Sequence, residues 1–267
     1  MIRSLSQTDD SVLEDAGFRF GQKGVHNTRT MMFSDLEELL KDVPEEAPKE
    51  DYREAVVEEN ILAKNTASTR RYNFQRLSEL YGLDPDIALF RIFRAFWGVS
   101  ERGRSLLAML LALARDPILR LTASPVLDLD IGERFEKEAV QQVLKDETGD
   151  RFSETSIKKI SRMTGSSWTQ SGHLEGRRKK TRVRPEVTPS NTAYALVLGY
   201  LCGVRGELLF DTFWAEVLDA PDHELYDHAQ EASRRGLLTY RNAAGIIEVD
   251  VSPVLTDSEL EALHEQN

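Results

Sequence analysis

Apolar residues recur at helical spacing along most of the chain. Ile87, Phe90, Ile92, Phe93, Phe96 and Trp97 predict a strongly apolar helix ended by Gly98. The apolar run over residues 106–114 predicts another across 102–115, stopped by Asp116-Pro117. The same period covers residues 51–63 and 67–81, with Gly82 and Pro85 as punctuation. Residues 50–117 therefore read as a bundle of four helices. Upstream, Gly17, Gly21 and Gly24 lie in a stretch of little periodicity, which predicts an irregular or partly extended lead-in. Ser34 as N-cap and Glu37 three residues on would form a capping box for a short helix to Lys41. Residues 43–49, with Pro44 and Pro48, then read as a solvated linker.

Downstream, Ile131, Phe135, Ala139, Val140, Val143 and Leu144 outline one face of a helix over 131–145, which Thr148-Gly149-Asp150 ends. Ser153 suits the N-cap of a second helix over 154–164, closing at Gly165. Two helices and a short turn give helix-turn-helix spacing. Residues 168–187, with Gly172, Gly176 and Pro185, read as a β-hairpin or extended loop. Thr188-Pro189 opens a helix to about Cys202 that is apolar on most sides. A short segment at 207–218 and a helix at 221–236 precede strands at 237–241 and 246–251. Helix, helix, hairpin thus occurs twice. The expected fold is mainly α, a helical bundle with two winged-helix-like units. Its segments are 1–49 (lead-in and linker), 50–125 (bundle), 126–203 (a unit with a basic wing) and 204–267 (a second unit).

Of the 267 residues, 40 % are hydrophobic and 30 % charged, a balance that fits a globular protein and excludes disordered, collagen-like and disulfide-rich classes. The single cysteine, Cys202, has no partner for an internal disulfide and sits in an apolar run, as a buried thiol would. Asp9, Asp10, Glu14 and Asp15 rule out a signal-peptide pattern over the first fifteen residues. The run at 106–114 falls short of the ~20 apolar residues a bilayer span needs. A soluble cytoplasmic protein, with no membrane partner, is expected.

The net charge of −11 says nothing for nucleic acid, but its distribution does. Residues 151–187 carry ten cations and three carboxylates, a local +7 that leaves −18 for the remainder. Lys158, Lys159 and Arg162 share one side of the second helix with Thr155, and Ser153, Thr155 and Ser156 lie at its start, where amides and hydroxyls suit phosphate oxygens. Arg177, Arg178, Lys179, Lys180, Arg182 and Arg184 follow on the hairpin, as a wing that could track a sugar-phosphate backbone. Double-stranded DNA is the partner this pattern favours. An acidic protein partner, or a merely solvated basic loop, is the alternative. A second basic cluster, Lys64, Arg70, Arg71 and Arg76, equally fits an ordinary mixed-charge helix surface.

Signals for catalysis are poor. There is no phosphate-cradling Gly-x-x-x-x-Gly-Lys-Ser/Thr loop, and the glycines at 17, 21 and 24 lack dinucleotide-binding spacing. The five histidines form no i, i+4 pair, and Asp128 and Asp130 read as acidic residues ahead of the helix at Ile131 rather than as metal ligands. No catalytic residues, metal or cofactor are expected.

The segment Val56-Val57-Glu58-Glu59-Asn60-Ile61-Leu62-Ala63-Lys64-Asn65-Thr66, followed by Thr69-Arg70-Arg71, resembles the BrxA family of BREX bacteriophage-exclusion systems, where a Glu-Asn-x-Leu-x-Lys signature precedes a basic helix. The later order is similar too: an apolar helical block, Ser153-x-Thr155-x-x-Lys158-Lys159, then Gly172-x-Leu174 opening a hairpin. The resemblance spans roughly residues 50–200. It implies a small helical DNA-binding protein of phage defence, without catalytic activity, that works with other proteins of the system. By resemblance, Arg70, Arg71, Lys158, Lys159 and Arg162 would face DNA. An assembly adaptor on an acidic partner and a winged-helix transcriptional regulator are the alternatives.

Overall fold

The elements run α1 (Asp10–Ala16), α2 (Phe33–Asp42), α3 (Lys49–Val57), α4 (Ala67–Tyr81), α5 (Ala88–Trp97), α6 (Arg104–Arg115), α7 (Pro117–Leu121), α8 (Ser124–Leu127) and β1 (Arg134–Phe135) in the first half. The second half holds α9 (Lys137–Thr148), α10 (Glu154–Gln170), β2 (Leu174–Glu175), β3 (Lys180–Arg182), α11 (Pro189–Leu201), α12 (Phe213–Glu216), α13 (Asp222–Arg234), β4 (Thr239–Ala243), β5 (Ile246–Asp250) and α14 (Asp257–His264). The computed structural model describes residues 8–243 and 245–264. About 60 % of it is helical and its sheets are small, so the fold is mainly α.

Helix α6 is buried along almost its whole length, as its uninterrupted apolar run requires. It packs against α4, α5 and α11. Helix α11, capped by the reciprocal Thr188–Asn191 box, is buried on every face because α5 and α6 cover one side while α12 and α13 cover another. One buried cluster therefore continues from the 50–125 segment through 126–203 and into 204–267. Cys202 lies within it, and burial pushes its thiol up to about 11, which leaves it inert.

Residues 8–32 differ from the irregular lead-in that the sequence suggests, whereas the short helix expected up to Lys41 is present as α2. The stretch before α2 forms α1 and buries Leu13, Phe18, Val25 and Met31, while Val43 and Ala47 of the expected linker are buried as well. Polar side chains from later elements hold this segment in place. Arg115 donates to the Gly17 carbonyl (2.5 Å), Arg94 to the carbonyls of Leu40 (2.9 Å) and Val43 (2.6 Å), and the Tyr81 hydroxyl to that of Met31. No periodicity encodes such long-range anchoring. Ser34 is not the cap of α2, which begins two residues earlier than that cap implies, at Phe33 after Met32.

The expected helix over 131–145 is also shorter. Residues 134–135 form β1, and the helix starts only at Lys137. Ile131 is 53 % exposed, and Asp128 and Asp130 lie in the turn before β1 rather than in a first helical turn. Strand β1 pairs antiparallel with β3, and β3 with β2, giving a three-stranded sheet of order β1-β3-β2. Strands β4 and β5 make a separate hairpin.

His173 lies at the root of this sheet, fully buried and edge-on to Trp168 at 4.8 Å. Its Nε2 donates to the Val217 carbonyl (2.7 Å), and Nδ1 is 2.8 Å from the Ser171 hydroxyl. Burial first, and the Arg182 charge second, hold its pKa down to about 3 although the Val217 bond favours the protonated ring. The folded state thus keeps the ring neutral, while the unfolded chain takes up a proton below about 6.5. Stability is fully present above that value and is lost as pH falls from it towards 3. Melting temperature should decline between pH 7 and 5 and decline less in His173→Gln; parallel declines would contradict the assignment.

Candidate nucleic-acid interface

Helix α10 begins where its sequence predicts, with the Ser153 hydroxyl accepting the Ser156 N–H at 3.3 Å. It does not end at Gly165 but runs on to Gln170. The glycine serves a close approach instead, since a Cβ there would come within 3.1 Å of the Phe135 ring. Residues 176–179 turn the chain between β2 and β3. Gly176 adopts φ +95°, and a Cβ would meet the Lys179 carbonyl oxygen at 2.2 Å, so the turn requires glycine.

These pieces enclose a cleft of about 680 Å³. Lys158, Ser161, Arg162 and Gly165 line it from α10, Arg177, Arg178 and Lys180 from the hairpin, and residues 134–138 with Gln141 from the β1–α9 corner. Seven lining side chains are cationic and two, Glu136 and Glu138, are carboxylates. The helix and wing cations, apart in sequence, thus converge on one concavity. Arg134 and Lys137 join them. Reading 131–145 as one helix hid these two, although an apolar Phe135 between charged neighbours is the pattern of a half-buried strand.

The remaining expected site residues divide by position. Thr155 and Lys159 are exposed on α10 without lining the cleft, Ser153 is exposed as its cap, and Lys179 is exposed at the hairpin turn. Lys180 is only half free, its ammonium donating to Thr169 Oγ1 (2.5 Å) and the Gly176 carbonyl (3.4 Å). Burial pulls its pKa down.

Arg182 is a correction. It is 1 % exposed, donates to the carbonyls of Val183 (2.5 Å) and His173 (3.3 Å), and lies 2.9 Å from the Asp219 carboxylate. Strand alternation is the reason. Phe135 stands opposite Lys180 and Leu174 opposite Arg182, so both basic residues share the inward face with two core side chains. Arg182 fastens the wing to the turn after α12 and cannot reach a phosphate.

Arg184 is exposed but lines a different pocket, among Asp211, Glu216, Asp219 and Asp222. Arg70 and Arg71 are on α4, which packs against α3 and α6, not on the cleft. Their neighbours Lys64 and Arg76 pair with Asp35 (2.8 Å) and Glu79 (2.6 Å).

A serine–histidine–aspartate arrangement lies in the core, with its serine on α10. His26 Nδ1 is 2.9 Å from Asp116 and Nε2 is 2.8 Å from the Ser167 hydroxyl. All three residues are at most 1 % exposed. The Ser167 oxygen also accepts the Met31 N–H (2.8 Å) and can donate to the Met163 carbonyl (3.1 Å), which ties it into the packing of α10. The geometry is that of a core hydrogen-bond network joining the N-terminal segment to α7 and α10.

No protein-family model matches this chain, and neither does any curated protein. Among the described residues, no helix is long and apolar enough to cross a membrane. The segment after α11 is acidic on its surface, and Arg234 and Arg235 at the end of α13 are both engaged by Glu231 (3.4 and 2.9 Å). Among the described residues, the 134–180 cleft gathers seven cationic side chains on one concavity.

Proposed function

We propose that this chain is a non-enzymatic, cytoplasmic DNA-binding component of a bacterial phage-defence system of the BREX type, acting on double-stranded DNA alongside other proteins of that system. The observation that carries the DNA reading is the convergence of α10 and wing cations on one cleft. Such segregation costs self-repulsion and is relieved when a polyanion binds. The order strand, helix, helix, hairpin, with the first strand joined to the last, supports reading residues 126–203 as a winged-helix unit. In it Lys158, Arg162, Arg177 and Arg178 hold phosphates, and Thr155 and Lys159 lie on the side of α10 that meets the duplex. The defence role rests on the likeness of residues 56–71 to the BrxA signature. With α13 and the β4–β5 hairpin placed after acidic residues, the 204–267 segment suits protein contact better than phosphate.

The test is a mobility shift with two duplexes of unrelated sequence at low salt. Both should be retarded at similar protein concentrations, because phosphate contacts carry no sequence information. No shift with either overturns the reading. A shift only with an acidic protein from the same system would favour the adaptor alternative.

A further inference from the structure

The shape of the cleft says more than its charge. We propose that it grips one phosphodiester strand, and therefore binds single-stranded DNA as well as the near strand of a duplex; this rests on the nucleic-acid reading above and narrows it. A duplex presents its backbones across a major groove about 12 Å wide and is met by a surface that projects into it. Here the cations stand around a space instead. Arg162 on α10, Arg178 on the hairpin and Arg134 on β1 face about 680 Å³, a volume that admits a sugar-phosphate strand and not a double helix. Phe135 also lines it, but its ring is buried against Gly165, so the accessible chemistry of the cleft is that of the cations around it. A positively charged groove that tracks one backbone is the part of single-strand binding that is blind to sequence.

Of the two carboxylates in the lining, Glu136 is the one paired with a cation of the proposed grip. Glu136 holds Arg134 at 2.9 Å, with both side chains more than half exposed, so it acts as an internal counter-ion that a phosphate must displace. A pair this exposed is cheap to break.

The full-length protein is titrated, by fluorescence anisotropy, into a labelled oligothymidylate and into a duplex of the same length. Both should bind. Arg134→Ala should weaken oligothymidylate binding roughly three- to tenfold and lower its salt slope by about 0.7, the loss of one phosphate contact on a single strand. Glu136→Gln should tighten it severalfold. Both positions are exposed, so folding is not at issue. Duplex binding without oligothymidylate binding, or either variant leaving oligothymidylate affinity unchanged, overturns the single-strand grip and leaves the duplex reading intact. Binding to neither probe removes both.

Discussion

Replacing Arg162, Arg177 and Arg178 together by alanine is expected to weaken duplex binding on the order of 100-fold near physiological salt, and to do so alike for every sequence. Three lost phosphate contacts at ~1 kcal/mol each give that factor, since each 1.4 kcal/mol is tenfold. The three residues line one cleft from two elements and are exposed, so the fold loses nothing it depends on. Melting temperature should stay within a degree or two. Lys180 and Arg182 are poor choices for such a variant, because one is bonded to Thr169 and the other is in the core. Anisotropy titrations against several duplexes, with a thermal melt of each protein, read both halves. A loss confined to one sequence would mean that these arginines read bases.

Asp116→Ala should be the most damaging single change to stability, at about 3–5 kcal/mol, the range for removing one member of a buried charged network. The Asp116 carboxylate accepts the N–H groups of Val25 (2.6 Å), His26 (3.1 Å), Ile118 (2.9 Å) and Leu119 (3.1 Å), and lies 2.9 Å from the His26 ring. It caps α7 and holds the 25–27 turn, so its loss strands donors at both places. A chain of this length should melt on the order of 10 °C lower. Burial alone would push the carboxyl up, but the His26 ring and the surrounding amides outweigh it and hold it below the usual carboxylate range. The sign of its pH effect follows. Its stabilisation is present above the unfolded value of about 3.9 and is lost as pH falls below that. Asp116→Ala should therefore show its full deficit at pH 5 to 7 and a shrinking one below pH 4. A deficit that persists unchanged into acid would contradict a charged role.

The helices were largely legible because their apolar faces are continuous: α4, α5, α6 and α11 fall where period and caps put them. The stretch before α2 was not, because Leu13, Phe18, Val25 and Met31 are buried without a regular period and are held by buried polar groups of Tyr81, Arg115, Asp116 and Ser167, and long-range polar anchoring leaves no periodic trace. Gly165 reads as a helix stop until Phe135 is seen packed on it. At the cleft, the distribution of charge along the sequence marks the wing and helix but not the direction in which each side chain points. A β-strand points alternate residues to opposite faces, so Lys180 and Arg182 turn inward, and Arg134 enters from a two-residue strand whose one trace is Phe135 between charged neighbours.

If the 134–180 cleft and its rim hold DNA phosphates, the salt dependence of duplex affinity for the unaltered protein reads it most directly. With four to six phosphates engaged, log K against log salt should fall with a slope of about −4 to −5. A slope near zero, or no binding at the lowest salt, would contradict the claim.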